Sequence, residues 1–412
     1  MKIKATIITI GDELLIGQTV DTNSVWIGQE LNKIGVGVYQ KIAIGDDATQ
    51  ITEVFRDAAQ TSNIILITGG LGPTKDDITK KTLAEYFGVG FTFYETVWEK
   101  MKAIFEKRGA KVLEMNKSQA MLPSNAQMLP NQRGTAQGMW FDENGVVYVS
   151  MPGVPHEMKH LMEQVLPKLQ QRFELPQIIH RTVMTAGAGE STIATMLTDF
   201  ENALPPNIKL AYLPDLGVVK LRLSAYEDVA TEEVDLYLEQ LKSILKGYVY
   251  CDGELSLQEV VGSLLLKQKN TLATAESCTG GYLAHLITSI PGSSEYFLGS
   301  IVSYSNNLKA NLLHVQQETL GTQGAVSEAT VIEMVKGTLQ QTGATYAVAI
   351  SGVAGPGGGT AEKPVGTVCF AVGSKERIVS RKLHFFPSRL ENIKVSANTA
   401  LNLVRKFILE EI

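Results

Sequence analysis

Cysteine is scarce in this chain: Cys251, Cys278 and Cys369 are the only three in 412 residues. Three scattered thiols exclude a disulfide framework or a cysteine-built zinc cluster, and they fit a reducing compartment. A basic excess is missing as well. The net charge is -6, which argues against a general nucleic-acid binder, because such proteins present a basic face. No apolar run approaches the length of a bilayer span. Met1-Lys2-Ile3-Lys4 leads straight into a strand. The expectation is a cytoplasmic protein with neither nucleic acid nor membrane among its partners.

What is present is material for a core. Apolar residues make up 44% and charged residues 19%, a globular composition, and the length calls for two or three domains. Residues 5–10 form a continuous β-branched run ending at Gly11, the pattern of a strand buried on both faces. A helix over 22–34, a strand over 36–44, a helix over 48–59 and a strand over 63–68 follow. This alternation predicts a doubly wound α/β domain over 1–173. Prolines 167 and 176 mark a boundary, beyond which 177–253 reads as a small α+β connector. It has a strand at 178–184, a helix at 191–200, a strand pair at 208–212 and 218–226, and a helix at 231–245. Alternation resumes over 256–412, where strands from 270, at 300–304 and at 346–350 and a final helix to Ile408 predict a second doubly wound α/β domain.

In such sheets ligands sit beyond the carboxyl ends of the strands. In the first domain those ends carry Gly11-Asp12-Glu13, Asn23, and Gly69-Gly70-Leu71-Gly72-Pro73-Thr74 followed by Asp76-Asp77. A glycine-rich loop offers N–H groups to a phosphate, and paired carboxylates can hold a divalent cation of the Mg or Co type. Asp76 and Asp77 equally suit a plain helix start. His156-Glu157-Met158-Lys159-His160 matches the H-E-x-x-H pattern of zinc peptidases. It directly follows Pro155, at the first turn of a helix, and lacks a third ligand, so solvated histidines are expected there.

The last domain is organised around Thr274-Ala275-Glu276-Ser277-Cys278-Thr279-Gly280-Gly281. It reads as a turn between a strand ending at Ala273 and a helix from Tyr282. Free N–H groups at a helix start would favour a developing oxyanion. Ser277 and Cys278 compete as nucleophile: the thiol is intrinsically better, although cysteine is commonly a buried apolar residue. Glu276 with a lysine would also suit a Glu-Lys-Cys set. Taken alone, Lys309 reads as a surface residue and Tyr304 as a core residue. Ser351-Gly352 opens a glycine-rich stretch that reads as a loop.

These motifs together resemble a known family. Ile10-Gly11-Asp12-Glu13-Leu14, Asp21-Thr22-Asn23, the Gly69–Thr74 loop with Asp76-Asp77, and Pro152-Gly153-Val154-Pro155 are similar to the molybdopterin-binding fold. More closely, they resemble its variant at the front of the competence/damage-inducible CinA family. Ala275–Gly281, Ile350–Pro356 and Lys363–Val368 resemble the nicotinamide-nucleotide amidohydrolase domain at that family's C-terminus. The resemblance covers essentially the whole chain. It implies hydrolysis of nicotinamide mononucleotide to nicotinate mononucleotide and ammonia, with no cofactor. Ser277 would be nucleophile, Lys309 its base and Tyr304 a neighbour. Thr279, Gly280, Gly281, Ser351, Gly352 and Arg389 would hold the substrate.

For Lys309 to act as base its pKa must fall, by burial or through a neighbouring cation; Arg389 is the candidate cation. In the first domain the resemblance implies a metal-dependent ADP-ribose pyrophosphatase, with Gly11, Asp12, Glu13, Asn23, Gly69, Gly70, Gly72 and Thr74 around the nucleotide. The middle unit resembles a KH-type domain, but Gly187-Ala188-Gly189-Glu190 does not supply the G-x-x-G loop that clamps a nucleic-acid backbone. The family also implies a homodimer acting on small-molecule nucleotides. A nucleotide- or molybdopterin-binding regulatory protein linked to competence is the alternative.

Overall fold

The apolar run near the front of the chain becomes β1 (Lys4–Ile10), buried at every position after its first. With β2 (Gly37–Ile44), β3 (Ile64–Thr68), β4 (Gln127–Leu129), β5 (Gly138–Glu143) and β6 (Val146–Met151) it forms a sheet of order β2-β1-β3-β6-β5-β4. The first four of these strands are parallel, and β5 and β4 run antiparallel at one edge. α1 (Thr22–Lys33) and α3 (Pro155–Arg172) cover one face over Ile7, Leu31, Leu66 and Leu161. α2 (Ala48–Thr61) covers the other over Ile8, Phe55 and Ile65. Helices on both faces explain why β1 and β3 show no polar alternation. The helix starts are set locally: Asp21 accepts the Ser24 N–H at 2.9 Å and Asp47 the Gln50 N–H at 2.8 Å. This computed structural model describes residues 3–74, 77–107, 114–176, 178–226 and 229–412.

The connector runs β7 (Ile178–Ala186), α4 (Glu190–Asn202), β8 (Ile208–Asp215), β9 (Val218–Tyr226), α5 (Thr231–Ile244) and β10 (Val249–Asp252), with sheet order β8-β9-β7-β10. The two helices pack on the sheet through Ile193, Leu197, Val234 and Leu241. α6 (Leu257–Gln268) then starts at a capping box in which Ser256 and Glu259 satisfy each other's N–H groups.

The last sheet is built from β11 (Leu272–Glu276), β12 (Phe297–Val302), β13 (Tyr346–Gly352), β14 (Thr367–Gly373) and β15 (Ile378–His384), in the order β12-β11-β13-β14-β15. The first three are parallel; β14 and β15 form an antiparallel hairpin. One face is covered by α6, α7 (Tyr282–Thr288) and α10 (Arg389–Ile408), the other by α8 (Asn306–Leu313) and α9 (Glu328–Thr342). Ala186, Tyr250 and Cys251 of the connector share one apolar core with Leu257, Val261 and Leu401. Connector and last domain accordingly form one compact unit, Ile179–Ala225 with Val229–Ile412, and Met1–Ile178 forms another. Among the described residues no helix is long and apolar enough to cross a membrane.

Candidate active site

β11 carries Thr274, Ala275 and Glu276 within the strand, so it ends three residues later than the sequence pattern placed it. The turn proper is Ser277–Gly281. It is hooked to the next strand by the Ser277 N–H, which donates to the Ile350 carbonyl at 3.0 Å. Gly280 and Gly281 take φ values of +60° and +98°, a region that side chains rarely enter.

The Glu276 side chain is wholly buried. Its carboxylate accepts the N–H groups of Gly281 and Leu283 at 3.0 Å each, that of Ala284 at 2.8 Å, and the Ser300 hydroxyl at 3.2 Å. Two expectations are corrected here. The N–H groups at the start of α7 are taken by a carboxylate from the chain itself and are not open to an oxyanion. Glu276, in turn, is a built-in helix anchor rather than a free base of a Glu-Lys-Cys set. What stays open lies one turn earlier. Among the described residues the N–H groups of Cys278 and Thr279 donate to no other residue, and the buried Thr279 Oγ1 has no partner.

Lys309 is 1% exposed and Tyr304 is 57% exposed, the reverse of the reading of each residue alone. α8 starts at Ser305, which caps the Leu308 N–H, and its first turn carries Lys309 inward. There the amine sits 2.9 Å from Ser277 Oγ, 2.8 Å from the Ser303 carbonyl and 3.3 Å from the Tyr304 carbonyl. Three acceptors match three ammonium hydrogens. In the neutral form two hydrogens keep the carbonyls and the lone pair faces the Ser277 hydroxyl. Burial pulls the lysine pKa down to about 8. The expected cation, Arg389, makes no contribution to that shift. The Cys278 thiol, beside the same lysine, is pushed up to about 12 by burial, so it remains protonated and unreactive.

Arg389 donates through Nη1 to the Gly355 carbonyl and through Nη2 to the Tyr304 hydroxyl, each at 3.0 Å. It is exposed and has no carboxylate partner among the described residues. Tyr304 therefore approaches the site twice, by its carbonyl to Lys309 and by its ring hydroxyl to Arg389. Asn392, 1% exposed, pins the surrounding loop through the Ala354 and Phe386 carbonyls at 2.9 and 2.8 Å. Ser351 and Gly352 are not loop residues: they end β13, paired with Cys369 and Val368. The Ser351 hydroxyl is committed to the Ala325 carbonyl at 2.7 Å, and a β-carbon on Gly352 would crowd Val368. Sequence reasoning missed Ser303, which contributes through backbone atoms and leaves no mark in residue type, and Asn392, whose side-chain amide serves backbone groups of a loop that sequence spacing does not bring to it.

In the first unit Asn23 Nδ2 donates to the Gly153 carbonyl at 2.7 Å and to Thr68 Oγ1 at 3.2 Å. Its Oδ1 is buried without a partner. Asn23, Thr68, Asp21 and Glu13 line a small cavity of about 110 Å³. Asp12 and Asp46 exchange N–H to carboxylate bonds at 3.3 Å, and the Glu13 carboxylate lies over Gly11. Gly69 has φ +112°, and a β-carbon there would collide with the Ile10 carbonyl; one on Gly70 would meet Thr79 and one on Gly72 the Asp77 carboxylate. Gly69 is thus required by its packing against the end of β1, whereas Gly70 and Gly72 abut the side chains of Thr79 and Asp77. Asp77 accepts the Thr74 N–H at 2.9 Å and the Thr74 hydroxyl, and Asp76 lies outside the described residues. Among those described, no three His, Cys, Asp or Glu side chains assemble as a metal centre. Glu157 of the H-E-x-x-H stretch accepts from Asn131 at 2.6 Å, and His160 pairs with Glu163.

Family models described as a probable molybdopterin binding domain, a damage-inducible protein CinA KH domain and a CinA C-terminal domain match residues 6–171, 180–251 and 254–408. A CinA-like protein of Cytophaga hutchinsonii is 48% identical over 412 residues, with 99% of each chain covered. A CinA-like protein of Flavobacterium psychrophilum is 43% identical, again over 99% of each chain. The crystal structure of competence/damage inducible protein CihA from Agrobacterium tumefaciens aligns with 37% of this chain and 96% of its own. Its sequence identity is 36% and its TM-score 0.35.

Proposed function

The chain belongs to the CinA family, and from that premise we propose that its last domain hydrolyses the carboxamide of nicotinamide mononucleotide, giving nicotinate mononucleotide and ammonia. The observation that carries this is the 2.9 Å approach of Lys309 Nζ to Ser277 Oγ, with both other lysine contacts made by carbonyls. Neutral Lys309 takes the Ser277 proton as Oγ adds to the carboxamide carbon. The Cys278 and Thr279 N–H groups and the Thr279 hydroxyl face the charge that develops on oxygen, where one such donor is often worth ~10²–10³ in rate. The lysine returns its proton to the leaving nitrogen, and ammonia departs from a Ser277 ester. Water, deprotonated by the same lysine, releases the acid. Arg389, exposed and without an acid partner among the described residues, offers its fork to the substrate phosphate.

Ammonia release by the purified chain from nicotinamide mononucleotide tests this reading; a pure binding protein releases none. The same dyad favours an enzyme over a regulatory nucleotide- or molybdopterin-binding protein, which has no use for a buried amine against a serine. For the first unit we propose a nucleotide site around Asn23 and the Gly69–Thr74 loop, with ADP-ribose cleavage as the activity to assay. No metal-dependent step is assigned to it.

A further inference from the structure

A second opening in the same unit has no part in the dyad. It lies between the connector and α10, with a volume of about 680 Å³, within the range of small-molecule sites. One wall is the β7–α4 turn, Gly187–Glu190, another the β8–β9 turn around Asp215, and the floor is the α10 face of Val395, Thr399 and Asn402. Asn398 of α10 ties the floor to the β8–β9 turn by donating to the Leu216 carbonyl at 2.7 Å. Leu383 and Phe386 line the opening while remaining 37% and 42% exposed.

The polar groups facing this space form a particular pattern. Asn402 is 6% exposed, and its Oδ1 accepts from Arg405 Nε at 3.1 Å. Its Nδ2 donates to nothing among the described residues and lies 3.3 Å from where a Gly187 β-carbon would sit. α4 starts at Gly189 without a side-chain cap, so its first N–H groups lack partners within the helix. These donors call for a carbonyl oxygen. Two carboxylates, Glu190 and Asp215, stand beside them, Asp215 Oδ1 also accepting the Leu216 N–H at 2.7 Å, and among the described residues no Lys or Arg lines the opening. They disfavour an anionic ligand and accept from an N–H group. The aliphatic and phenyl surface of Leu383, Phe385, Phe386 and Val395 suits a flat ring.

We infer that this opening is a binding site for a small uncharged aromatic amide, with the ring on the Phe386 and Val395 side, the carbonyl on Asn402 and the amide N–H toward Asp215. The site is independent of the reaction proposed above and shares no residue with the dyad. Benzamide and benzoate test it, because they differ only in the amide. Binding of each to the full chain is measured by titration calorimetry and ligand-observed NMR. Benzamide binds, and benzoate binds at least about tenfold more weakly, as expected for a misplaced hydrogen bond and a repelled charge. Thr399→Trp, which fills the opening, and Asn402→Leu, which removes the donor, each weaken benzamide by at least about tenfold. Circular dichroism checks that each variant is folded, and either folded variant suffices. No benzamide binding at ~10 mM, a weak-fragment threshold, would overturn the inference. So would benzoate binding as tightly as benzamide, or benzamide affinity unchanged in a folded variant.

Discussion

Glu276 and Lys309 are joined through a single residue. Ser303 donates its N–H to the Glu276 carbonyl at 2.9 Å and offers its own carbonyl to the Lys309 amine at 2.8 Å. The residue that anchors the nucleophile turn from below thus also fixes the height of the base.

Replacing Glu276 by Gln puts an amide N–H₂ against groups that are themselves N–H donors. Four hydrogen bonds cannot all be kept, and buried donors left unpaired cost roughly 1–3 kcal/mol each. Glu276→Gln is therefore expected to lower the denaturation midpoint. It should also cut kcat by about 10²-fold through misplacement of the attacking oxygen, with KM little changed, because no substrate contact is lost. A variant that loses stability but keeps wild-type kcat would reduce Glu276 to a structural cap.

The pH profile follows from burial of Lys309, which brings its pKa to about 8 from an ordinary value of 10.5. Only the neutral amine can take the serine proton, so kcat/KM for deamidation should rise about tenfold per pH unit below pH 8 and level off above it. Lys309→Arg, charged throughout the accessible range, should be inactive at every pH. The sign for stability is the same. Between about 8 and 10.5 the unfolded chain binds the extra proton, so the folded state gains stability as pH rises through that window. Urea denaturation at pH 7.5 and pH 10 should show wild type gaining on Lys309→Met by on the order of 2 kcal/mol. An activity limb near pH 6.5 would point to a different base.

Cys278 sits in the apolar core with its thiol pushed up to about 12. Cys278→Ala should keep most deamidation, and Ser277→Ala should abolish it. Iodoacetamide should label the folded protein slowly and inactivate it no faster than it labels. Rapid inactivation, protected by substrate, would return the chemistry to the thiol.

Ala186, Tyr250 and Cys251 share the core of α6 and α10. A fragment of residues 179–412 should deamidate at the full rate and unfold cooperatively. A fragment of 256–412 holds every group of the dyad but exposes that patch. It should retain activity with a lower melting temperature, read by calorimetry. Equal melting temperatures would show that the connector adds nothing to this core.

Much of this was legible in the sequence, for physical reasons. Two-sided burial writes itself as continuous apolar runs, which located β1, β3 and β13, and the final helix was read to its end at Ile408. Direction was not legible: the buried residues of β14 read the same in a parallel or an antiparallel strand. The extent of β11 was missed because Thr274 and Glu276 are polar, and only the structure shows the carboxylate folded onto the next helix. Lys309 and Tyr304 were exchanged for a related reason. Hydropathy ranks side chains by their usual solvent, and it does not register two carbonyls waiting for an amine. The opening between connector and α10 depends on segments about 200 residues apart, Gly187 and Asn402, and no local pattern announces it.

On this mechanism Ser277 is acylated by a carboxamide under the control of Lys309. The most direct measurement is intact-protein and peptide mass spectrometry of the chain quenched in acid during turnover of nicotinamide mononucleotide. A nicotinate-mononucleotide ester is expected on the peptide carrying Ser277, absent in Ser277→Ala and in Lys309→Arg. An adduct on Cys278, or ammonia released at the wild-type rate by Ser277→Ala, would contradict it.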